Sequence, residues 1–151
     1  MLVYRICRRQ FQALDGEGGR LYGGRWNTPG TPLVYAAGTL ALAALEYLVH
    51  VDPEDVPPDL VALTIEVPDD SPVDRVLPTA LPEDWARLPE HPACQTLGDA
   101  WARSSAALAI RVPSALVPEE ENVLLNPRHP DAVRVRVLAK RDFAFDPRLI
   151  R

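Results

Sequence analysis

A chain of 151 residues has the size of one domain and is long enough to bury a hydrophobic core. Its net charge of -5 argues against a general nucleic-acid binder, and the lack of any run of roughly 18 apolar residues argues against a membrane-spanning helix. Cys7 and Cys94 make neither a disulfide framework nor a CxxC pair, and MLVYRICRRQFQ lacks a signal-peptide pattern, so the expected location is the cytoplasm.

Taken in order, Leu2 to Cys7 is predicted to be a short strand. Arg5 interrupts its apolar run, either to reach solvent or to wait inside for an anion. Asp15 to Gly24 reads as a glycine-rich loop. Gly19 and Gly24 have the GxxxxG spacing of a phosphate loop, but Arg25-Trp26 stands where Lys-Ser/Thr is needed, and Leu21 breaks the GxGxxG dinucleotide pattern. The glycines therefore mark close backbone approach, to a ligand or to another segment. A strand over Leu33 to Ala37 follows and carries Tyr35.

Gly38-Thr39 turns the chain into a helix, with Thr39 as N-cap. Thr39, Ala43, Glu46 and His50 share one stripe at spacings of four, three and four. Leu42, Leu45, Leu48 and Val49 cover much of the rest, as in a nearly buried helix. The carboxylate stripe then faces either a thin solvent edge or a cleft. In a cleft Glu46 needs a polar purpose, because an unpaired buried carboxylate is expensive.

VDPEDVPP stops that helix. Leu60 to Val67 alternates as a half-buried strand. Pro68 to Pro92, with six prolines, is expected to wrap the surface as loops anchored by Trp85. A helix over Thr96 to Ser105 leads to a strand over Ala106 to Val112, ended by Pro113-Ser114. Val123 to Leu125 reads as a short strand framed by Asn122 and Asn126, and Val133 to Leu138 as the last one, with Arg134 and Arg136 outward. Five or six strands and two main helices without βαβ alternation give an α+β domain over residues 1–151.

Charge is unevenly placed. Residues 1–25 hold five arginines against two acids, residues 128–151 seven basic groups against three acids, and the middle four against sixteen. If the ends meet they form a positive surface suited to phosphate; otherwise they are solvated faces. His50, His91 and His129 are scattered and no HExxH exists, so no metal site is expected. Cys94 is read as structural, and Ser114, in Val-Pro-Ser-Ala rather than GxSxG, is not a hydrolase nucleophile.

Tyr4-Arg5-Ile6, GGRWNTPGTPLVYAA, LALAALE-x-LVH, GDAW at 98–101, VPSALVPEEENVLLNP from 112 and His129-Pro130, in this order, together resemble the RES domain, a family named after an arginine, a glutamate and a serine. The resemblance implies a single compact domain with a mixed, mostly antiparallel sheet, similar to the ADP-ribosyltransferase toxins. It also implies a bacterial toxin that consumes NAD and is neutralised, in a hetero-oligomer, by an antitoxin with an Xre-like DNA-binding region. By position the family's arginine corresponds to Arg25 or Arg5, its glutamate to Glu46, its serine to Ser114, and a pocket aromatic to Tyr35.

The residues suit that chemistry. Cleaving a nicotinamide–ribose bond needs no protein nucleophile, because the pyridinium is already a good leaving group. It needs a carboxylate to stabilise an oxocarbenium-like transition state or orient the incoming oxygen, and Glu46 is the candidate. Arg5 and Arg25 can hold a pyrophosphate bidentately. Tyr35, with Trp26 as a second, can wall the nicotinamide. Ser114 can bond the nicotinamide ribose or amide, and Asn122 can support Glu46 or the ribose. Three functions remain open at this level: an NAD glycohydrolase or phosphate-using phosphorylase, a protein ADP-ribosyltransferase, and a non-catalytic nucleotide-binding module.

Overall fold

In the computed structural model, which describes residues Met1–Arg151, seven strands join one sheet. They are β1 (Leu2–Arg8), β2 (Val34–Ala37), β3 (Leu60–Glu66), β4 (Val73–Arg75), β5 (Ala109–Pro113), β6 (Glu121–Leu125) and β7 (Arg136–Asp142). Their order is β4-β5-β6-β2-β1-β3-β7. Only β4 and β5 run parallel; every other neighbouring pair is antiparallel. The α+β class and the mostly antiparallel sheet are as expected.

Two helices cover one face. α2 (Leu40–Leu48) buries Leu42 and Ala43 against Ile6, Ala37, Leu60 and Ala62. α3 (Pro92–Ser104) brings Cys94, Trp101 and Ala102 to Leu33, Ile110, Val112 and Leu124. On the opposite face Val3, Val34, Val61, Leu63 and Val123 form a third cluster, closed by Phe11, Leu14, Ala132 and Val135. Alternation along each strand distributes the residues this way. Each large apolar side chain so buried contributes on the order of 1.5–3 kcal/mol before entropy is counted.

Several expectations need correction. The glycine-rich segment contains a short helix, α1 (Glu17–Tyr22), with an Asp15 carboxylate accepting from the Glu17 amide. Its glycines meet another segment rather than open space: a Cβ on Gly19 would lie 2.6 Å from the Leu33 carbonyl oxygen. β3 is buried on both faces over Leu60–Leu63, since α2 covers the side that alternation assigned to solvent. α3 begins at Pro92, four residues early, where proline fits the first turn and His91 Nδ1 accepts from the Ala93 amide. Pro130–Arg134 is a 3-10 turn capped by His129, which delays β7 to Arg136. β4 has three exposed residues and no periodicity to betray it.

The basic ends do meet. β1 and β7 both flank β3, and Arg9 donates to Asp142 at 2.6 Å while Lys140 donates to Gln12 at 3.0 Å. Acids occupy part of this surface. No helix is long and apolar enough to cross a membrane.

Candidate active site

The helix carrying the carboxylate is fixed at its start. Thr39 Oγ1 accepts from the Leu42 amide at 3.1 Å and donates to Glu120, a cap of about 1 kcal/mol. One turn further, the stripe of Ala43, Glu46 and His50 faces a cleft of about 750 Å³ and not a solvent edge. Glu46 Oε1 accepts two hydrogen bonds, from Ser114 Oγ at 2.8 Å and from Asn122 Nδ2 at 2.6 Å. No protein group bonds its Oε2.

The two donors differ in character. Asn122 stands in β6 opposite Ala37, which itself pairs with Tyr4, so a row of three strands lies beneath Glu46. Asn122 lines the cleft. Ser114 does not: it is fully buried behind the carboxylate, in the turn after β5. Its hydroxyl oxygen accepts from the Leu116 and Val117 amides, both at 3.1 Å, and its single proton goes to Glu46. A hydroxyl committed in this way holds Glu46 and has nothing left for a ligand. The expected bond from Ser114 to a ribose or amide is therefore replaced by a positioning contact.

Arg5 sits where the sheet opens. The ladder between β1 and β2 is reduced to one register pair, Tyr4↔Ala37. The Arg5 guanidinium reaches across this split and donates through Nη1 to the Tyr35 carbonyl at 2.8 Å. Its Nε is buried without a partner, a donor that costs free energy until something accepts from it. Of the two readings for an arginine in an apolar strand, the inward one describes its placement.

The GGRWN turn is held from beneath. Asn27 is fully buried; its amide donates to the carbonyls of Gly19 and Thr31, and its oxygen accepts from the Tyr35 hydroxyl at 2.5 Å. The same hydroxyl accepts from the Trp26 amide at 3.1 Å. Burial, with a smaller contribution from the Asp99 charge, pushes the Tyr35 hydroxyl well above its ordinary range, partly offset by the Trp26 amide bond. α3 completes the seat: Asp99 accepts from the Thr28 amide and hydroxyl, and Gly98 lies against the Trp26 carbonyl. These contacts give the GDAW stretch a structural purpose that no spacing rule reveals.

Tyr35 and Arg25 line the cleft beside Glu46 and Arg5. Arg25 is partly engaged: Nη1 donates to the carbonyls of Trp85 at 2.8 Å and Leu88 at 2.6 Å, with the guanidinium 5.7 Å from the Trp85 ring. Trp26 also lines the cleft, but it is only 2 % exposed and its ring lies 6.1 Å from that of Trp85, so most of the ring expected as a second wall is taken up by core packing. The arrangement brings together Arg5, Arg25, Tyr35, Glu46 and Asn122 around one cavity, with Ser114 behind. Sequence reading missed Arg8, Arg87 and the aromatic pair Phe11 and Tyr22, which also line it. No three His, Cys, Asp or Glu side chains are grouped to hold a metal ion. The cavity falls in the roughly 300–1,000 Å³ range of small-molecule sites.

A carboxylate anchored on one oxygen, set among arginines at a split in a mixed sheet, is chemically suited to an anionic ligand with a cation-like centre. The RES domain family matches residues 2–146, and the chain belongs to that family. It is 40% identical over 140 residues to the Prs ADP-ribosylating toxin of a Sphingobium species, covering 91% of this chain and 87% of that one. It is 36% identical to Toxin Res of Photorhabdus laumondii, covering 100% and 98% of the two chains, and 40% identical to Toxin Res of Pseudomonas putida, covering 99% of each. In fold it matches the crystal structure of the M. tuberculosis MbcT-MbcA toxin-antitoxin complex with a TM-score of 0.78 at 22% identity, over 95% of this chain and 84% of that one.

Proposed function

We propose that residues 1–151 act as one RES domain, the toxin of a bacterial toxin–antitoxin pair, which depletes NAD in the cytoplasm by cleaving its nicotinamide–ribose bond. The observation that carries this reading is Glu46, held through Oε1 by Ser114 and Asn122 with Oε2 left for the cleft. As the C1′–N bond breaks, its electron pair leaves with nicotinamide and neutralises the pyridinium. The positive charge that develops at C1′ is stabilised by a nearby fixed carboxylate, which also orients the oxygen that closes on C1′. With water as acceptor the product is ADP-ribose and the proton lost by the attacking oxygen passes to solvent; with phosphate an already anionic oxygen closes on C1′ and the product is the 1-phosphate, with no proton released. Donor groups for the pyrophosphate are present in the Arg5 guanidinium, which lines the cleft with Nη1 engaged by the Tyr35 carbonyl, and in the uncommitted nitrogens of Arg25.

A second reading keeps the same bond cleavage and changes the acceptor to a protein side chain. It is favoured by the name of the Sphingobium relative, an ADP-ribosylating toxin at 40% identity. The partner that silences the activity is a cognate antitoxin with an Xre-like DNA-binding region, consistent with the family and with the toxin–antitoxin complex that shares the fold.

The test is NAD consumption by the purified protein, with and without phosphate, resolving nicotinamide and ADP-ribose products by chromatography. Nicotinamide release with no protein target supports the glycohydrolase or phosphorylase, and phosphate dependence separates those two. Label from NAD appearing on a macromolecule instead selects the transferase. In either case Glu46→Ala should lower turnover by at least about a hundredfold while circular dichroism stays unchanged. A folded Glu46→Ala protein with full activity would sink the proposal.

A further inference from the structure

The cleft has an aromatic corner that the Glu46 chemistry does not use. Phe11 and Tyr22 both line it, with ring centroids 6.1 Å apart and planes at 85°. Phe11 is anchored against the core cluster beneath, whereas Tyr22 is 67% exposed. Gly18, one turn before Tyr22, adds no side chain: a Cβ there would meet nothing but the Phe11 ring, at 3.8 Å. Two perpendicular rings beside a bare backbone accept a flat ring in the corner, stacked on one and edge-on to the other.

Position along the sheet says what flat ring this is. Glu46 stands over the row Asn122, Ala37 and Tyr4. From Tyr4, β1 runs to Arg8 and then turns through Arg9–Phe11. Tyr4 and Arg8 are separated by roughly 13 Å at about 3.3 Å per residue, with Arg5 between them. The cleft passes from the α2 face through the β1–β2 split to the side that Phe11 closes, and so offers, in order, a carboxylate, the guanidinium of Arg5 at the split and an aromatic corner. A ligand with a cationic glycosidic centre, a phosphate and a second, distant base matches that order.

We propose that Phe11 and Tyr22 form the subsite for the purine base of a dinucleotide whose glycosidic centre lies at Glu46. This rests on the NAD-cleaving function proposed above. The purine contributes ground-state binding far from the breaking bond, so the corner governs KM for substrates that carry it. Stacking of a base on an aromatic side chain corresponds to a loss of about tenfold or more on truncation to alanine.

The experiment compares NAD with nicotinamide mononucleotide, which keeps the scissile bond and lacks the adenylate half. Tyr22→Ala, a surface change, should raise KM for NAD about tenfold with little effect on kcat, and show no corresponding change for the mononucleotide. Tyr22→Phe, which keeps the ring, should behave as the parent protein. An unchanged KM for NAD in Tyr22→Ala overturns the proposal, as does an equal rise for both substrates. Titration with ADP separates this proposal from the reaction it rests on. If NAD is not cleaved but ADP binds and Tyr22→Ala weakens that binding, the purine corner stands and the cleavage reading falls; if ADP does not bind, the corner falls.

Discussion

Glu46 presents two oxygens, and the protein engages only one of them. Ser114 therefore acts through Glu46, which has a kinetic signature. Ser114→Ala should lower kcat roughly ten- to a hundredfold with little change in KM, because only a transition-state contact is misplaced. The same change strands the Leu116 and Val117 amides, which lose their acceptor, and should cost about 1–3 kcal/mol in urea unfolding. Tyr35 gives a second test at this scale. Its hydroxyl titrates above its ordinary pKa in the folded protein because burial disfavours the phenolate. A raised folded pKa means stability that is whole below about pH 10 and is lost as pH climbs from the unfolded value through the folded one. Tyr35→Phe should flatten this alkaline loss, seen as thermal midpoints between neutral and strongly alkaline pH. At neutral pH it should cost about 1–3 kcal/mol, since the Asn27 oxygen and Trp26 amide lose their partner.

At the scale of elements, the site is a junction of α2, the β1–β2 split and the GGRWN turn, and the turn is held by α3. Gly98 is the point of contact: a Cβ there would lie 1.7 Å from the Trp26 carbonyl oxygen, inside any tolerable separation. Gly98→Ala must push α3 away from the turn, and overpacking at backbone should destabilise the fold by about 3 kcal/mol or more, measured by chemical denaturation. A gain from better helix propensity, about 1 kcal/mol, would appear if the helix could shift freely. The elements most legible in the sequence were those with a local cause. Thr39 announced its helix through a cap, and Leu60 to Val67 announced a strand through alternation. Glu46 could be placed on a helix stripe, but whether that stripe met solvent or a cleft depended on β6 and the Ser114 turn, some seventy residues away. The burial of Trp26 had the same kind of cause, since α3 supplies the covering surface. Arg5 was visible as an anomaly, yet the split it bridges is a property of register that no single strand encodes.

On the scale of the whole molecule, an acidic protein carries a locally basic cleft. The net charge is -5, but Arg5, Arg8, Arg25 and Arg87 line the cavity against Glu46 and Glu90. Part of that positive charge is already answered, since Arg8 pairs with Asp59 at 3.0 Å and Arg25 gives Nη1 to two carbonyls. Carbonyls leave the formal charge of Arg25 intact, so the field at the cleft remains positive even where donors are used. An anionic ligand is therefore drawn in by long-range attraction to these charges, which salt screens, whereas the short-range contact of Glu46 at the breaking bond is screened much less. Raising salt from low concentration to roughly 0.5 M shortens the Debye length from tens of ångströms to a few. KM for NAD should then rise about threefold while kcat stays nearly constant. Nicotinamide riboside, which has the same scissile bond and no phosphate, should show no such rise. A flat KM for NAD across the salt series would mean that the arginines face the cleft without contributing to capture. A parallel rise for the riboside would trace the effect to the fold as a whole, and long-range attraction of phosphate by the arginines would no longer account for the kinetics.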